Sequence, residues 1–236
     1  MLTKEEKHKY IKQIMLPEIG VQGQEKIRQA KIAVVGAGGL GCPVLLYLAA
    51  AGTGTLGIID FDTVNITNLH RQILYGNGDI NHKKAEAAAQ KLNLMHPEVK
   101  TVVHDALLNE ENAENILSAY DIVVDGCDNF MTRYIVNDTC VKLNKPLVYG
   151  SILGFEGQLA VFNYNGSKNL RHLFPEPPNP EDVPDCSENG VLATVPGIIG
   201  TMMANETLKV ILGKTEMQNK FLVVDLMGMR NRVVLY

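Results

Sequence analysis

Two rhythms of apolar and polar positions alternate along most of the chain, and the switches between them mark its elements. An unbroken apolar strand, Ile32 to Val35, runs into the turn Gly36-Ala37-Gly38-Gly39-Leu40-Gly41 and then into an apolar helix ending near Gly52. A second strand spans Thr55 to Asp62 and is followed by a polar loop. The helical period returns from Lys83 to Met95, with Ala85, Ala88, Ala89 and Leu92 on one face and a stop at His96-Pro97. A strand (100–105), a helix (112–119), a strand (121–126) and a helix (131–143) come next, and this alternation predicts a doubly wound, mostly parallel α/β sheet. The shorter alternating runs of 146–162 predict antiparallel strands that extend it, and a helix (197–212) and a hairpin (221–236) close the chain. Ahead of the first strand, residues 3–29 read as a helical arm of two short pieces broken near Pro17 and Gly20 to Gly23. The Pro-, Glu-, Asp- and Asn-rich segment from Asn163 to Asn189 is expected to be a mobile loop, because it has little apolar surface to bury.

Composition narrows this picture. A chain of 236 residues with 46% hydrophobic content suits one large α/β domain. The 22 Lys+Arg against 26 Asp+Glu give a net charge of −4, without the basic excess of nonspecific nucleic-acid binders, so no nucleic-acid partner is expected. Between Lys31 and Asp60, 28 residues pass without a charge, which on hydropathy alone resembles a membrane span. Glycines from Gly36 to Gly57 cut that run into strand, helix and strand, and a buried βαβ unit needs no charge. The charged N-terminus has no apolar core of a secretory signal, so a cytoplasmic protein without a membrane anchor is expected. Cys42, Cys127, Cys140 and Cys186 form no C-x-x-C pair, and the six histidines form no metal-binding spacing.

Candidate chemistry gathers around the glycine turn. In Gly36-x-Gly38-x-x-Gly41, the first glycine permits a tight turn, the second lets backbone N–H groups approach a phosphate, and the third packs helix on strand. Asp60, at the end of the second strand, suits ribose hydroxyls of either NAD or ATP, or else caps the following loop. What separates the two nucleotides is the set Asn68, Arg71, Lys84, Asp128 and Asn129, all at the carboxyl edge of the predicted sheet. Hydride transfer has no use for such a set. Nucleotidyl transfer does: Arg71 and Lys84 would neutralise charge building on phosphorus, and Asp128 would hold Mg²⁺. Each residue also has a plain alternative, with Arg71 in a surface ion pair, Lys84 on a solvated helix face and Asp128 as a helix N-cap.

Taken together, the stretches "GAGGLG", "DFDTV", "NLHRQ" and "DGCDNFMTRY", with Lys84 opening a helix, resemble the ThiF/MoeB/HesA family of bacterial E1-like adenylyltransferases. The resemblance extends to "YIKQIMLPEIGVQGQEKI" and "CSENGVLATVPGIIGTMMANETLKVILG". It implies a Rossmann-like fold and ATP-dependent adenylylation of the C-terminal glycine of a ubiquitin-like sulfur carrier ending in Gly-Gly. It further implies a homodimer, ATP and Mg²⁺ as cofactors, and nucleotide contacts from Gly36, Gly38, Gly39, Gly41, Asp60, Asp62, Thr67, Asn68, Leu69, His70, Arg71, Lys84, Asp128 and Asn129. On this reading residues 1–30 form the arm, 31–150 the nucleotide-binding part and 151–236 the carrier-binding part of a single domain, with a mobile loop near 165–189.

Lys12 stands where the family motif usually has an arginine reaching into the partner subunit's site, and lysine lacks the bidentate fork. Where zinc-holding members carry two C-x-x-C pairs, this chain has "KNLRHLFPE" and "VDLMGMRNR", so no zinc is expected. Cys186 matches the thiol of the thiamine-pathway enzymes, which implies a transient covalent link to the carrier, and a separate protein is expected to donate sulfur. A different carboxylate or tRNA base as substrate, or an NAD-dependent oxidoreductase, are the rival readings.

Overall fold

The computed structural model describes residues 1–178 and 190–236. One eight-stranded sheet organises them, in the order β3-β2-β1-β4-β5-β6-β7-β8. Strands β1 (Lys31–Val35), β2 (Thr55–Ile59), β3 (Lys100–His104), β4 (Ile122–Asp125) and β5 (Leu147–Leu153) run parallel, and β6 (Glu156–Phe162), β7 (Lys220–Asp225) and β8 (Arg230–Leu235) add an antiparallel extension. The expected α/β sheet is thus present, with one correction. Within 146–162 only β6 is antiparallel to its neighbours; β5 lies parallel to β4, because its apolar Leu147, Val148 and Tyr149 are buried between two strands and two helical layers.

Side-chain alternation on the strands divides the core. Ile32 and Val34 of β1 face one apolar layer, and Ala33 and Val35 face the other. The first layer is closed by α4 (Gly41–Ala50), α5 (Lys84–Met95) and α8 (Thr194–Leu212), the second by α6 (Ala113–Leu117) and α7 (Phe130–Lys142). Helix α4 is apolar nearly all round because it is sandwiched between the sheet and α8. Helix α8 ends at Gly213, whose left-handed φ of 72° lets Lys214 N–H donate back to the Lys209 carbonyl at 2.8 Å. No helix among the described residues is long and apolar enough to cross a membrane.

Two further expectations are corrected. The arm is three helices, α1 (Lys4–Lys9), α2 (Ile11–Ile14) and α3 (Gly20–Gln29), and Gly20 to Gly23 begin a helix instead of breaking one. Gly23 lies against α8, where a Cβ would come 2.9 Å from Leu212 Cδ2, so it is there for close packing. The segment expected to be a mobile loop is held down over its described part. Leu170 is buried, its N–H donates to Asn137 Oδ1 at 3.0 Å, and Arg171 grips Asp138 with two bonds of 2.8 and 2.7 Å. Residues 179–189, including Cys186, lie outside the described residues.

Candidate active site at the sheet switch point

The chain winds from β1 outward through β2 to β3, then returns to place β4 on the other side of β1. That reversal opens a crevice at the carboxyl ends of β1 and β4, the place where doubly wound sheets bind ligands. A glycine follows each strand, Gly36 after β1 and Gly126 after β4. Gly36 turns with φ of 85°, and a Cβ on it would sit 2.8 Å from the Gly126 carbonyl oxygen. Gly41 is tighter: its Cβ would meet the Gly36 oxygen at 1.9 Å, so helix α4 starts directly under the turn.

Asp60 fastens that turn from the side. Its Oδ2 accepts the Ala37 N–H at 2.8 Å and its Oδ1 accepts the Asp62 N–H at 2.9 Å. Burial raises the Asp60 pKa, opposed by the nearby charge of Lys84 and by these two backbone donors. Each carboxylate oxygen keeps a lone pair for a ribose hydroxyl. The second strand ends at Ile59, shorter than expected, which leaves Asp60 and Asp62 in the crevice-lining loop. Lys84 opens α5 with a buried side chain, and its Nζ pairs with Asp62 Oδ2 at 2.9 Å. Beneath them Tyr75, which no motif marks, donates its hydroxyl between the Ala37 carbonyl at 2.8 Å and the Lys84 carbonyl at 3.2 Å.

The segment 65–72 closes the outer wall. Asn65 and Asn68 cap each other across a short turn, Thr67 Oγ1 donates to Asn65 Oδ1, and Leu69 packs on the core. Arg71 donates to the Thr67 carbonyl at 3.0 Å and lies 2.9 Å from His70 Nε2, and it makes no ion pair among the described residues. Its stem borders Gly39, where a Cβ would come 3.9 Å from Arg71 Cγ and 3.0 Å from Pro196 Cβ. A Cβ on Gly38 would come 3.4 Å from Gln72 Nε2, and the buried Gln72 Oε1 has no partner among the described residues. Glycines that keep a cradle open and two cations, Arg71 and Lys84, are a donor set that fits a nucleotide polyphosphate.

The far wall is the loop after β4. Asp128 is exposed there, and the N-cap of α7 is its neighbour Asn129, whose Oδ1 accepts the Thr132 N–H at 2.9 Å. Asp128 therefore does not have the capping role that was its plain alternative. Cys127 is buried, and burial pushes its thiol pKa well up. No group of three or more His, Cys, Asp or Glu among the described residues is arranged to hold a metal by itself. Magnesium ordinarily takes one or two carboxylates together with phosphate and water, which a single exposed Asp128 satisfies.

One sequence candidate stays apart. Lys12 is exposed on α2, whose neighbour Gln13 donates to the Ala51 carbonyl at the C-terminal end of α4. The glycine turn is at the other end of that helix, about 15 Å away at 1.5 Å per residue. Two hollows, of about 290 and 280 Å³, are lined by Gln13, Tyr47 and Thr201 and by Leu46, Ile73 and Leu94 among others, and neither includes the glycine turn, Asp60, Lys84 or Asp128.

Fold and crevice together define an E1-like, ThiF-type nucleotide-binding protein. The family model described as "ThiF family" matches residues 10–235, and the chain belongs to that family. It is 49% identical over 216 residues to the sulfur carrier protein adenylyltransferase of Thermus thermophilus, covering 89% of this chain and 80% of that protein. It is 50% identical over 214 residues to the adenylyltransferase and sulfurtransferase MOCS3 of Aedes aegypti, covering 91% of this chain but 49% of that protein. The chain thus spans about half the length of the MOCS3 relatives it matches. Among solved structures, that of E. coli MccB with ATP superposes with a TM-score of 0.81 at 21% identity, over 90% of this chain and 66% of that one, a likeness of fold.

Proposed function

We propose that the protein adenylylates the C-terminal glycine of a ubiquitin-like sulfur carrier, in the cytoplasm and as a homodimer, for sulfur transfer in thiamine or molybdenum cofactor biosynthesis. What supports this most is a glycine cradle at the switch point with Arg71 bordering Gly39, Lys84 opening α5 and Asp128 in the loop after β4, in a family whose relatives are named for this reaction. The carrier's terminal carboxylate is ionised at neutral pH, with a reference pKa of about 3.3–3.7, so no general base is needed. It attacks the α-phosphorus of ATP; the new bond joins carboxylate oxygen to phosphorus, the α–β bridge breaks, and pyrophosphate leaves with its electron pair. The N–H groups of the glycine turn hold the phosphates, Asp60 orients the ribose, and Arg71 and Lys84 stabilise the charge on phosphorus. Mg²⁺, held by Asp128 when bound, supplies further neutralisation of the phosphates. Lys12 is proposed to contact the partner subunit's site, and a separate protein to donate sulfur.

The test is ATP–pyrophosphate exchange with a ubiquitin-fold carrier ending in Gly-Gly, run beside the same carrier lacking its last two residues. Exchange with the intact carrier alone is the expected result. Tight NAD(H) binding without exchange overturns the reading. Adenylation uses no thiol, so Cys186→Ser is expected to keep exchange near the wild-type rate while losing any reductant-sensitive adduct with the carrier on nonreducing gels. Collapse of exchange in a folded Cys186→Ser protein contradicts that division of labour.

A further inference from the structure

The loop bearing Asp128 is held from beneath by a buried pair, Asp125 and Arg133. Asp125 Oδ1 accepts the Cys127 N–H at 3.0 Å, and Arg133 Nη2 donates to the Cys127 carbonyl at 2.7 Å. The same nitrogen donates to the Gly150 carbonyl at 3.1 Å, while Nη1 donates to the Tyr149 hydroxyl at 2.9 Å. The guanidinium lies 4.6 Å from the centre of the Tyr149 ring. Its Nε faces Asp125 Oδ2 at 3.3 Å as an ion pair, without hydrogen-bond geometry. Both side chains are buried. Burial by itself would lower the Arg133 pKa, but the charge of Asp125 beside it carries it above the ordinary arginine value, so the group stays charged.

A buried ion pair is a poor device for stability, since apolar residues of equal volume often do as well or better. Its geometry is more informative. The Cys127 carbonyl and the Asp128 N–H belong to one rigid peptide plane that ends at the Asp128 Cα. Arg133 fixes that plane through the carbonyl, and Asp125 fixes the preceding plane through the Cys127 N–H. With both planes set, the two soft dihedrals between them are set, and so is the point from which the Asp128 side chain departs. Only a planar fork reaches the Cys127 carbonyl, the Gly150 carbonyl and the Tyr149 hydroxyl at once, which a lysine ammonium cannot imitate.

We propose that Arg133, seated on Asp125, is a positioning residue for adenylation: it locks the 126–129 loop and thereby aims Asp128 at the glycine turn. This rests on the reading of Asp128 given above, and the experiment separates the two. Arg133→Lys keeps the charge and loses the fork. The folded variant is expected to lose about 100-fold in kcat for pyrophosphate exchange, the cost of a misplacement of roughly 1 Å. Its KM for ATP stays within about threefold, because the cradle that holds the phosphates is intact. The Mg²⁺ concentration for half-maximal rate rises, and hydrogen exchange by mass spectrometry shows faster exchange over 126–130 with β1 and β2 unchanged. If Arg133→Lys does not fold, Tyr149→Phe carries the same measurements, with an expected kcat loss of about tenfold for one hydrogen bond from a charged donor. A folded variant with wild-type kcat, or with wild-type exchange protection over 126–130, overturns the proposal and leaves adenylation standing. A wild-type chain inert in pyrophosphate exchange overturns adenylation and the positioning role of Arg133 with it.

Discussion

Asp128→Ala is expected to reduce adenylate formation by about 100- to 1,000-fold, the scale seen when a preorganised charge-stabilising group is removed. ATP is still expected to bind weakly, since the backbone N–H cradle and Lys84 do not depend on this side chain. The N-cap of α7 is left in place, because that cap is Asn129, and a circular dichroism spectrum like that of wild type is required of the variant before its rate is read. The measurement pairs carrier-dependent pyrophosphate exchange with calorimetric ATP titration. Turnover close to wild type removes Asp128 from the reaction, and loss of ATP binding equal to the loss of rate makes it a binding group only.

The second large effect is on folding. Gly41→Ala puts a methyl group 1.9 Å from the Gly36 carbonyl oxygen and 2.8 Å from its carbon, both backbone atoms that cannot swing away. The turn and the start of α4 must separate. A loss of about 3 kcal/mol or more is expected, with a fall in Tm of about 6–12 °C for a chain of this size. Nucleotide affinity should fall with it, because the amides that form the cradle move. Gly78→Ala is the control, since nothing lies within 4 Å of its Cβ, and its change should stay within about 0.5 kcal/mol. Equal melting temperatures for the two variants contradict the packing argument.

Much of this site was legible because its residues obey local rules. The period change at Gly36, the alanine face of α5 and the stop at His96-Pro97 each follow from backbone chemistry, and the structure repeats them almost residue for residue. The polar residues at the strand ends were legible as a group, because strand ends of a doubly wound sheet converge. Their individual duties were not. Asn129 rather than Asp128 caps α7, a choice between adjacent residues that depends on where the helix begins. Arg133 and Asp125 escaped notice because charge in a sequence reads as solvated surface, and only tertiary placement shows both to be buried. Tyr75 and Gln72 carry no period at all. The arm's Gly20 and Gly23 read as helix breakers because the need for close contact with α8 cannot be seen locally. Likewise the composition of 163–178 concealed one apolar anchor, Leu170, and one bidentate pair, Arg171 with Asp138.

The antiparallel extension has a consequence at the outer border of the sheet. Every residue of β8 is exposed, and β8 is the last strand in the order, so a row of backbone donors and acceptors faces outward. Such a border is a template on which another chain can crystallise into fibre-like stacks. Its two halves differ. Arg230, Asn231 and Arg232 guard the first with charge and polarity, whereas Val233, Val234 and Leu235 leave the second bare. Tolerance of concentration and of storage is therefore expected to lean on Arg232 at the rim, since Arg230 is already engaged with Asp225 Oδ2 at 2.8 Å.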